Sequence, residues 1–146
     1  MLKFMRMLNN ISRSQAVFRQ RRVSAPDLAP THYAFVLAVC REPGRSQEEL
    51  AQELCLNKST VARSMTYLEE QGYILRQPSP ADRRQLSVYP KEKMLAVLPA
   101  LRAASAEWRE QVSLGIPEDE LAVFYSVLER MEARARELSS GQEADE

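Results

Sequence analysis

The chain of 146 residues has the length of one domain, and its 45% hydrophobic and 27% charged residues are ordinary for a soluble globular protein. Its formal net charge is zero, since 20 basic residues balance 20 acidic ones. No His, Cys and carboxylate cluster has metal-ligand spacing, and no phosphate-binding loop or nucleophile elbow is present. We therefore expect a protein that is not an enzyme and that uses no cofactor.

The charges are unevenly distributed along the chain. Residues 1–22 carry six basic side chains and no acid, whereas residues 117–146 carry nine acids against three arginines. A protein with one DNA-facing side would show this asymmetry. Pairing of the two terminal helices with each other would explain it equally well, and the sequence leaves both explanations open.

The N-terminal part predicts two helices. Roughly the first twenty residues form an amphipathic helix, whose basic face is expected to be solvated, with contact to a phosphate or a membrane as the alternative. Its apolar residues at helical spacing are Phe4, Leu8, Ile11 and Phe18. After a turn with two prolines, a second helix is expected to begin at Thr31 and to stop at Glu42-Pro43-Gly44. Its inward residues are expected to be Tyr33, Val36, Leu37 and Cys40.

The sequence favours a cytoplasmic protein without membrane attachment. No apolar run approaches the ~20 residues of a membrane helix. The N-terminus also lacks the continuous apolar segment and cleavage site of a signal peptide. Cys40 and Cys55 lie at apolar positions of predicted helices. We expect both to pack as free thiols rather than to form a disulfide or to sense redox state.

Residues 46–72 predict a helix-turn-helix. Ser46-Gln47-Glu48-Glu49 has the Ser-x-x-Glu pattern of a capping box, and Asn57 can cap a second helix. Gly72 is expected to end that second helix. Its inward residues are predicted to be Val61, Met65 and Leu68, and its outward residues Ser59, Thr60, Arg63 and Tyr67. Two short helices joined by a tight turn are typical of a helix-turn-helix.

The next segment predicts a hairpin with a basic tip. Tyr73–Arg76 is β-prone, Pro78–Asp82 is turn-forming, and Leu86–Tyr89 alternates as a strand does. The tip carries Arg83 and Arg84. A helix-turn-helix followed by a basic hairpin indicates a winged helix.

These segments resemble the MarR family of bacterial transcriptional regulators. The resemblance rests on Ser46–Leu54, on Lys58–Gly72 and above all on Asp82-Arg83-Arg84 before Val88, since the family's wing carries an Asp-x-Arg signature. It implies a winged helix that binds double-stranded DNA and dimerises through its terminal helices. The chain departs from the family at Tyr89–Lys93, which lacks the usual Thr and Gly and whose proline is expected to start the next helix.

The rest of the sequence predicts two long helices. The first carries apolar residues at helical spacing from Met94 to Val112, and Pro99 is expected to kink it. After a turn at 115–117, an a/d pattern runs through Leu121, Phe124, Leu128, Met131, Ala135 and Leu138. A second copy of the chain would bury these apolar stripes in a dimer. Alternatively, the helices would fold back on their own winged domain as a monomeric bundle. The resemblance favours a homodimer.

The expected fold is mainly α with a small β-hairpin wing, a winged helix-turn-helix flanked by N- and C-terminal dimerisation helices. A single MarR-type domain would span residues 1–146. Within it, residues 31–90 would form the DNA-binding part and residues 1–22 and 91–138 the dimerisation helices. Residues 139–146 would be a flexible tail, because they are small, polar and acidic.

The predicted DNA contacts lie on the second helix of the motif and on the wing. Arg63 is expected to bond a guanine edge in the major groove, and Arg84 to enter the adjoining minor groove. Asp82 is expected to orient Arg84 by a charge-assisted hydrogen bond, as its place in the family signature implies. The other candidate phosphate or base contacts are Ser46, Gln47, Lys58, Ser59, Thr60 and Arg83.

The resemblance also suggests an effector site. His32, Tyr33 and Trp108 would line a pocket for a small aromatic or anionic effector, although the two larger aromatic residues are equally explained as core residues. The expected function is a homodimeric, sequence-specific repressor on a pseudo-palindromic operator, released by such an effector. The alternative is a dimeric winged-helix module that binds a protein and does not read DNA. The basic and polar start of the second motif helix favours DNA.

Overall fold

The computed structural model describes residues 2–140 and is mainly α-helical with one β-hairpin, as expected. Within these residues the helices are α1 (Leu2–Gln20), α2 (Tyr33–Arg41), α3 (Gln47–Leu54), α4 (Lys58–Glu70), α5 (Glu92–Val112) and α6 (Glu118–Ser140). The strands are β1 (Ile74–Pro78) and β2 (Leu86–Pro90). The chain divides into two compact units, with the boundary between Trp108 and Arg109.

The helix-turn-helix of α3 and α4 begins each helix with the predicted cap. The Ser46 hydroxyl accepts from the N–H of Glu49 at 3.1 Å, and the Glu49 carboxylate accepts from the N–H of Ser46 at 2.7 Å. The side-chain oxygen of Asn57 accepts from the N–H of Thr60 at 2.7 Å. Cys55, between the two helices, has a left-handed φ of 52°. This conformation turns the chain sharply, so that only three residues separate the end of α3 from the start of α4.

The core of the first unit is built around α2 and α4. Val61, Met65 and Leu68 are each at most 1% exposed, as their spacing predicts. The helix α2 buries more than expected, since Phe35 and Val39 are also 1% exposed. The wing and α5 add further buried side chains to the same cluster: Tyr73, Ile74, Val88, Met94 and Leu101.

The wing is an antiparallel pair of strands that a third segment extends. The N–H of Gly44 donates to the carbonyl of Val88 at 2.8 Å, and the N–H of Val88 donates to the carbonyl of Arg45 at 2.9 Å. Ser46 and Ser87 form an isolated antiparallel bridge, and both are buried. Because a lone two-stranded hairpin is marginally stable, this segment fastens the base of the wing to the helix-turn-helix.

Two helix starts differ from the prediction. Pro30–His32 is a 3₁₀ turn in which the N–H of Ala29 donates to Nδ1 of His32 at 3.1 Å, so α2 begins after Thr31 rather than at it. Pro90 ends β2 instead of starting α5. The N–H of Lys91 donates to the carbonyl of Tyr73 at 2.8 Å, which keeps this segment with the hairpin.

The two long C-terminal helices are present as expected, and α6 is longer than expected. The helix α5 continues through Pro99 as one helix. Pro99 removes the donor for the carbonyl of Leu95, which lies at an exposed position of the helix, where water can replace that donor. The helix α6 extends to Ser140, so the predicted tail does not begin at position 139. Residues 141–146 of that tail lie outside the described residues.

Asp27, between α1 and α2, ties three elements of the first unit together. Its carboxylate accepts from the Tyr73 hydroxyl and, at 2.5 Å, from the Lys93 ammonium group. Its backbone carbonyl accepts from the Tyr67 hydroxyl at 2.6 Å. Tyr67 is therefore half-buried and packed, and the expectation that it faces away from the core is wrong. The hydrogen bonds from Lys93 and then from Tyr73 lower the pKa of Asp27.

We expect Asp27→Asn to lower the free energy of unfolding at neutral pH by about 1–2 kcal/mol, because a hydrogen-bonded, partly exposed carboxylate is lost. The folded-state pKa of Asp27 lies below its unfolded value. Its contribution is therefore full above the unfolded pKa and disappears as the pH falls through the folded pKa. Urea titrations at about pH 7 and about pH 3 should show a smaller difference between variant and wild type at the lower pH. An equal difference at both would contradict this assignment.

Candidate nucleic-acid interface

The start of α4 presents a polar and basic surface. Lys58, Ser59 and Arg63 are exposed, and Thr60 is half-buried. The Lys58 ammonium group lies 3.8 Å from the carboxylate of Glu48, and both side chains are more than half exposed. Such an exposed ion pair contributes little to stability and leaves the lysine able to contact another anion. The N–H groups and positive dipole end of the first turn favour anions at the same place.

The wing tip presents two further exposed arginines, Arg83 and Arg84. The N–H of Arg84 donates to the carboxylate of Asp82 at 3.0 Å, and the N–H of Gln85 donates to the carbonyl of Asp82 at 3.0 Å. The charge-assisted bond between Asp82 and Arg84 is therefore made to the main chain rather than to the guanidinium. Asp82 shapes the turn that carries Arg84 and leaves the arginine side chain exposed.

Two predicted contacts at the start of α3 are engaged within the fold. Ser46 is 6% exposed, and its hydroxyl accepts the capping hydrogen bond. A buried, bonded hydroxyl is poorly placed to meet a phosphate at the surface, so the structure argues against Ser46 as a DNA contact. Gln47 is half-buried, and its side-chain oxygen accepts from Nη1 of Arg76 at 3.0 Å.

Arg76 on β1 is a residue that the sequence analysis missed. Its backbone N–H, its Nε and its Nη2 donate to the carboxylate of Glu69 at 3.0, 3.0 and 2.7 Å. These hydrogen bonds lower the pKa of Glu69 and join the base of the wing to the last turn of α4. The available signal was the strand period, which places Arg76 on the same face as the buried Ile74.

Two of the predicted effector residues pack against another ring, and the third is buried. His32 stacks on Tyr67 with ring centroids 4.9 Å apart, and burial lowers the pKa of its imidazole. Trp108 packs edge-on against Phe18 at 5.3 Å, and Tyr33 is 1% exposed. This packing accounts for the three rings without a ligand.

The two cysteines have different surroundings. Cys40 is half-buried, and burial raises the pKa of its thiol. Cys55 is exposed at the end of α3, so the expectation that it packs inside is wrong. Among residues 2–140, no three His, Cys, Asp or Glu side chains come together as metal ligands. Over the same range, no helix is long and apolar enough to span a bilayer.

Residues 27–85 match the model of the MarR family. The uncharacterized HTH-type transcriptional regulator YybA of Bacillus subtilis (strain 168) is 29% identical over 105 residues, which are 72% of this chain and 70% of the relative. The crystal structure of MarR is 29% identical, with a TM-score of 0.76 over 92% of both chains. A MarR family transcriptional regulator from Listeria monocytogenes, crystallised with a 26mer DNA, is 18% identical, with a TM-score of 0.87 over 97% of this chain and 94% of that one.

The sequence match and the fold agree on the same elements. The matched segment contains α2, the helix-turn-helix, β1 and the wing tip, where the two predicted helix caps and the Asp82-Arg83-Arg84 signature lie. The likeness to the solved structures extends over almost the whole chain. In these matched residues and in its fold, the chain is similar to the MarR family of winged helix-turn-helix transcriptional regulators.

Proposed function

We propose that the protein binds double-stranded DNA with α4 in the major groove and the wing in the adjoining minor groove. The observation that carries the proposal is the exposure of Arg63 on α4 together with Arg83 and Arg84 at the wing tip. These are the two elements with which winged helices meet a duplex. Arginine suits both places, because it can bond guanine in the major groove and is attracted by the potential of a narrow minor groove.

The charge of the α4 surface supports DNA over a protein partner. Residues 58–66 carry two basic side chains and no acid, and the start of the helix combines them with hydroxyl groups and free N–H donors. A surface built to bind a protein would have no general need for this composition. The DNA complex of the Listeria relative supports the same choice, since its fold matches over nearly the full chain.

We include a homodimer and a pseudo-palindromic operator in the proposal. The a/d positions of α6 include large apolar side chains that are exposed in the single chain: Phe124 at 51%, Met131 at 41% and Leu138 at 72%. Such a stripe is typical of a helix that packs against another copy. A two-fold dimer would present two α4 helices to two half-sites. Repression, and release by a small aromatic or anionic effector, rest on the resemblance to the MarR family alone.

The test of the function is a salt-titrated electrophoretic shift with the protein's own upstream DNA and with a random duplex of equal length. Arg63→Ala should weaken binding to the upstream DNA by about 1–3 kcal/mol and change binding to random DNA less, because a base contact is lost. Arg41→Ala is the control, since Arg41 is exposed and its ion-pair partner, Glu53, belongs to α3 rather than to α4 or the wing. Equal losses on both duplexes would contradict base recognition by Arg63. Absence of wild-type binding at low salt would contradict the proposal.

Asp82 offers a second test, in which geometry and simple electrostatics predict opposite signs. Asp82→Ala removes the acceptor for the N–H of Arg84 and should weaken operator binding by about 1 kcal/mol, although a negative charge has left the tip. Asp82→Asn keeps an oxygen at the same place and should bind at least as well as the wild type. Fluorescence anisotropy titrations of both variants measure this. Tighter binding by Asp82→Ala would show that Asp82 acts only through its charge.

The dimer is tested by Leu128→Glu on α6. An unpaired carboxylate in the apolar stripe should destabilise association by several kcal/mol, on the order of the cost of burying a charge. Size-exclusion chromatography with light scattering should then report a monomer. Ser126→Glu places the same charge on another face of the helix and should leave the mass unchanged. A wild type that is already monomeric at micromolar concentration would contradict the dimer.

A further inference from the structure

Arg76 joins the wing to both helices of the helix-turn-helix. Its Nε and Nη2 donate to one carboxylate oxygen of Glu69, and its backbone N–H donates to the other. Its Nη1 donates to the side-chain oxygen of Gln47, in the first turn of α3. One residue of β1 is thus held by directional bonds from two helices. We call the three residues Arg76, Glu69 and Gln47 the wing clasp.

The wing clasp occupies a place where a hairpin would ordinarily pack apolar side chains. Ile74 shares a face of β1 with Arg76 and is 1% exposed, and Val88, opposite Arg76 on β2, is also 1% exposed. The side chain of Arg76 is 17% exposed and that of Glu69 is 35% exposed. Apolar packing has no preferred direction, whereas hydrogen bonds weaken steeply when they bend. The clasp therefore fixes the angle of the wing as well as its distance from α4.

A small change of angle at the clasp becomes a large displacement at the tip. Arg84 lies beyond the end of β1, and at ~3.3 Å per residue the hairpin extends roughly 10–15 Å past Arg76. A rotation of about 10° at the clasp would move the tip by roughly 2 Å. The accepted range of hydrogen-bond lengths is only about 0.5 Å wide. A tip displaced by that much would lose its contacts in the groove.

We propose that Arg76 is a positioning residue that fixes the angle between α4 and the wing, so that Arg63 and Arg84 reach neighbouring grooves of one duplex together. The inference rests on the proposed function, because it concerns the same two DNA-facing elements. Arg76 does not itself contact DNA, since its guanidinium donors are directed within the fold, to Glu69, Gln47 and Thr66. Because A·T-rich DNA has the narrow minor groove that attracts arginine, we expect Arg84 to favour A·T-rich flanks only while the wing clasp is intact.

A double-mutant cycle tests the dependence of Arg84 on Arg76. The chosen variant is Arg76→Met, which keeps an unbranched apolar side chain of similar reach. On a duplex with A·T-rich flanks, Arg84→Ala should weaken binding about tenfold in the wild-type background and about twofold or less in the Arg76→Met background. With G·C-rich flanks the two backgrounds should differ little. A tenfold loss in both backgrounds would overturn the proposal.

The matched control is Arg41→Met, which breaks an ion pair with Glu53 and leaves the wing clasp intact. The Arg84→Ala effect should stay about tenfold in that background. Circular dichroism melts establish that each variant folds. Should Arg76→Met fail to fold, Glu69→Gln removes the charge and one acceptor from the same clasp. It should give the same loss of coupling, and an undiminished Arg84→Ala effect in it would overturn the proposal.

A DNA-free measurement separates failure of the clasp from failure of the proposed function. Spin labels at Glu70→Cys on α4 and Ala81→Cys at the tip, in a Cys40→Ala, Cys55→Asn background, report the distance between helix and wing. The asparagine tolerates the left-handed backbone at that position. The distance distribution should be narrow in the wild type and in Arg41→Met, and broad in Arg76→Met. A narrow distribution in Arg76→Met would overturn the role of the wing clasp. If the wild type shows a narrow distribution but binds no DNA, the proposed function and the positioning role of Arg76 are both overturned.

Discussion

The burial of Val61, Met65 and Leu68 sets the rotation of α4 about its own axis, and the rest of the candidate interface depends on that rotation. These side chains are each at most 1% exposed, so any rotation of the helix would lift apolar surface into water. Because a helix turns about 100° per residue, the same constraint directs Arg63 and Ser59 outward. The DNA-facing side of α4 is thus defined by what the other side buries, before any charge is considered.

Apolar packing fixes the rotation of α4, and hydrogen bonds fix the positions of the neighbouring elements relative to α4. In its C-terminal half, the Tyr67 hydroxyl donates to the carbonyl of Asp27, which connects the helix to the segment between α1 and α2. Just after the helix, the carbonyl of Gln71 accepts from Lys93 of α5, which also bonds the Asp27 carboxylate. In its last turn, Glu69 bonds Arg76 on the wing. Each of these bonds joins residues from different elements. Together they turn a short helix, marginal on its own, into the centre of a connected unit.

The sequence predicts those parts of the fold that local chemistry decides. The caps at Ser46 and Asn57 involve neighbours within three residues, and they are confirmed. The predicted start of α5 is wrong because the N–H of Lys91 bonds the carbonyl of Tyr73, a contact across the hairpin. Arg76 was missed for the same reason, since its partners lie 7 and 29 positions away. Of the candidate site, residue type and periodicity predict the exposed arginines but not the bonds that hold them in place.

The two roles of Ser46 have a consequence for how the wing unfolds. The same residue caps α3 with its side chain and pairs with Ser87 of β2 through its backbone. The wing therefore cannot separate from the helix-turn-helix without disturbing the first turn of α3. An isolated hairpin would open and close by itself, whereas opening of this hairpin at its base also disturbs the helix-turn-helix. The base of the wing therefore belongs to the same cooperative folding unit as the helix-turn-helix.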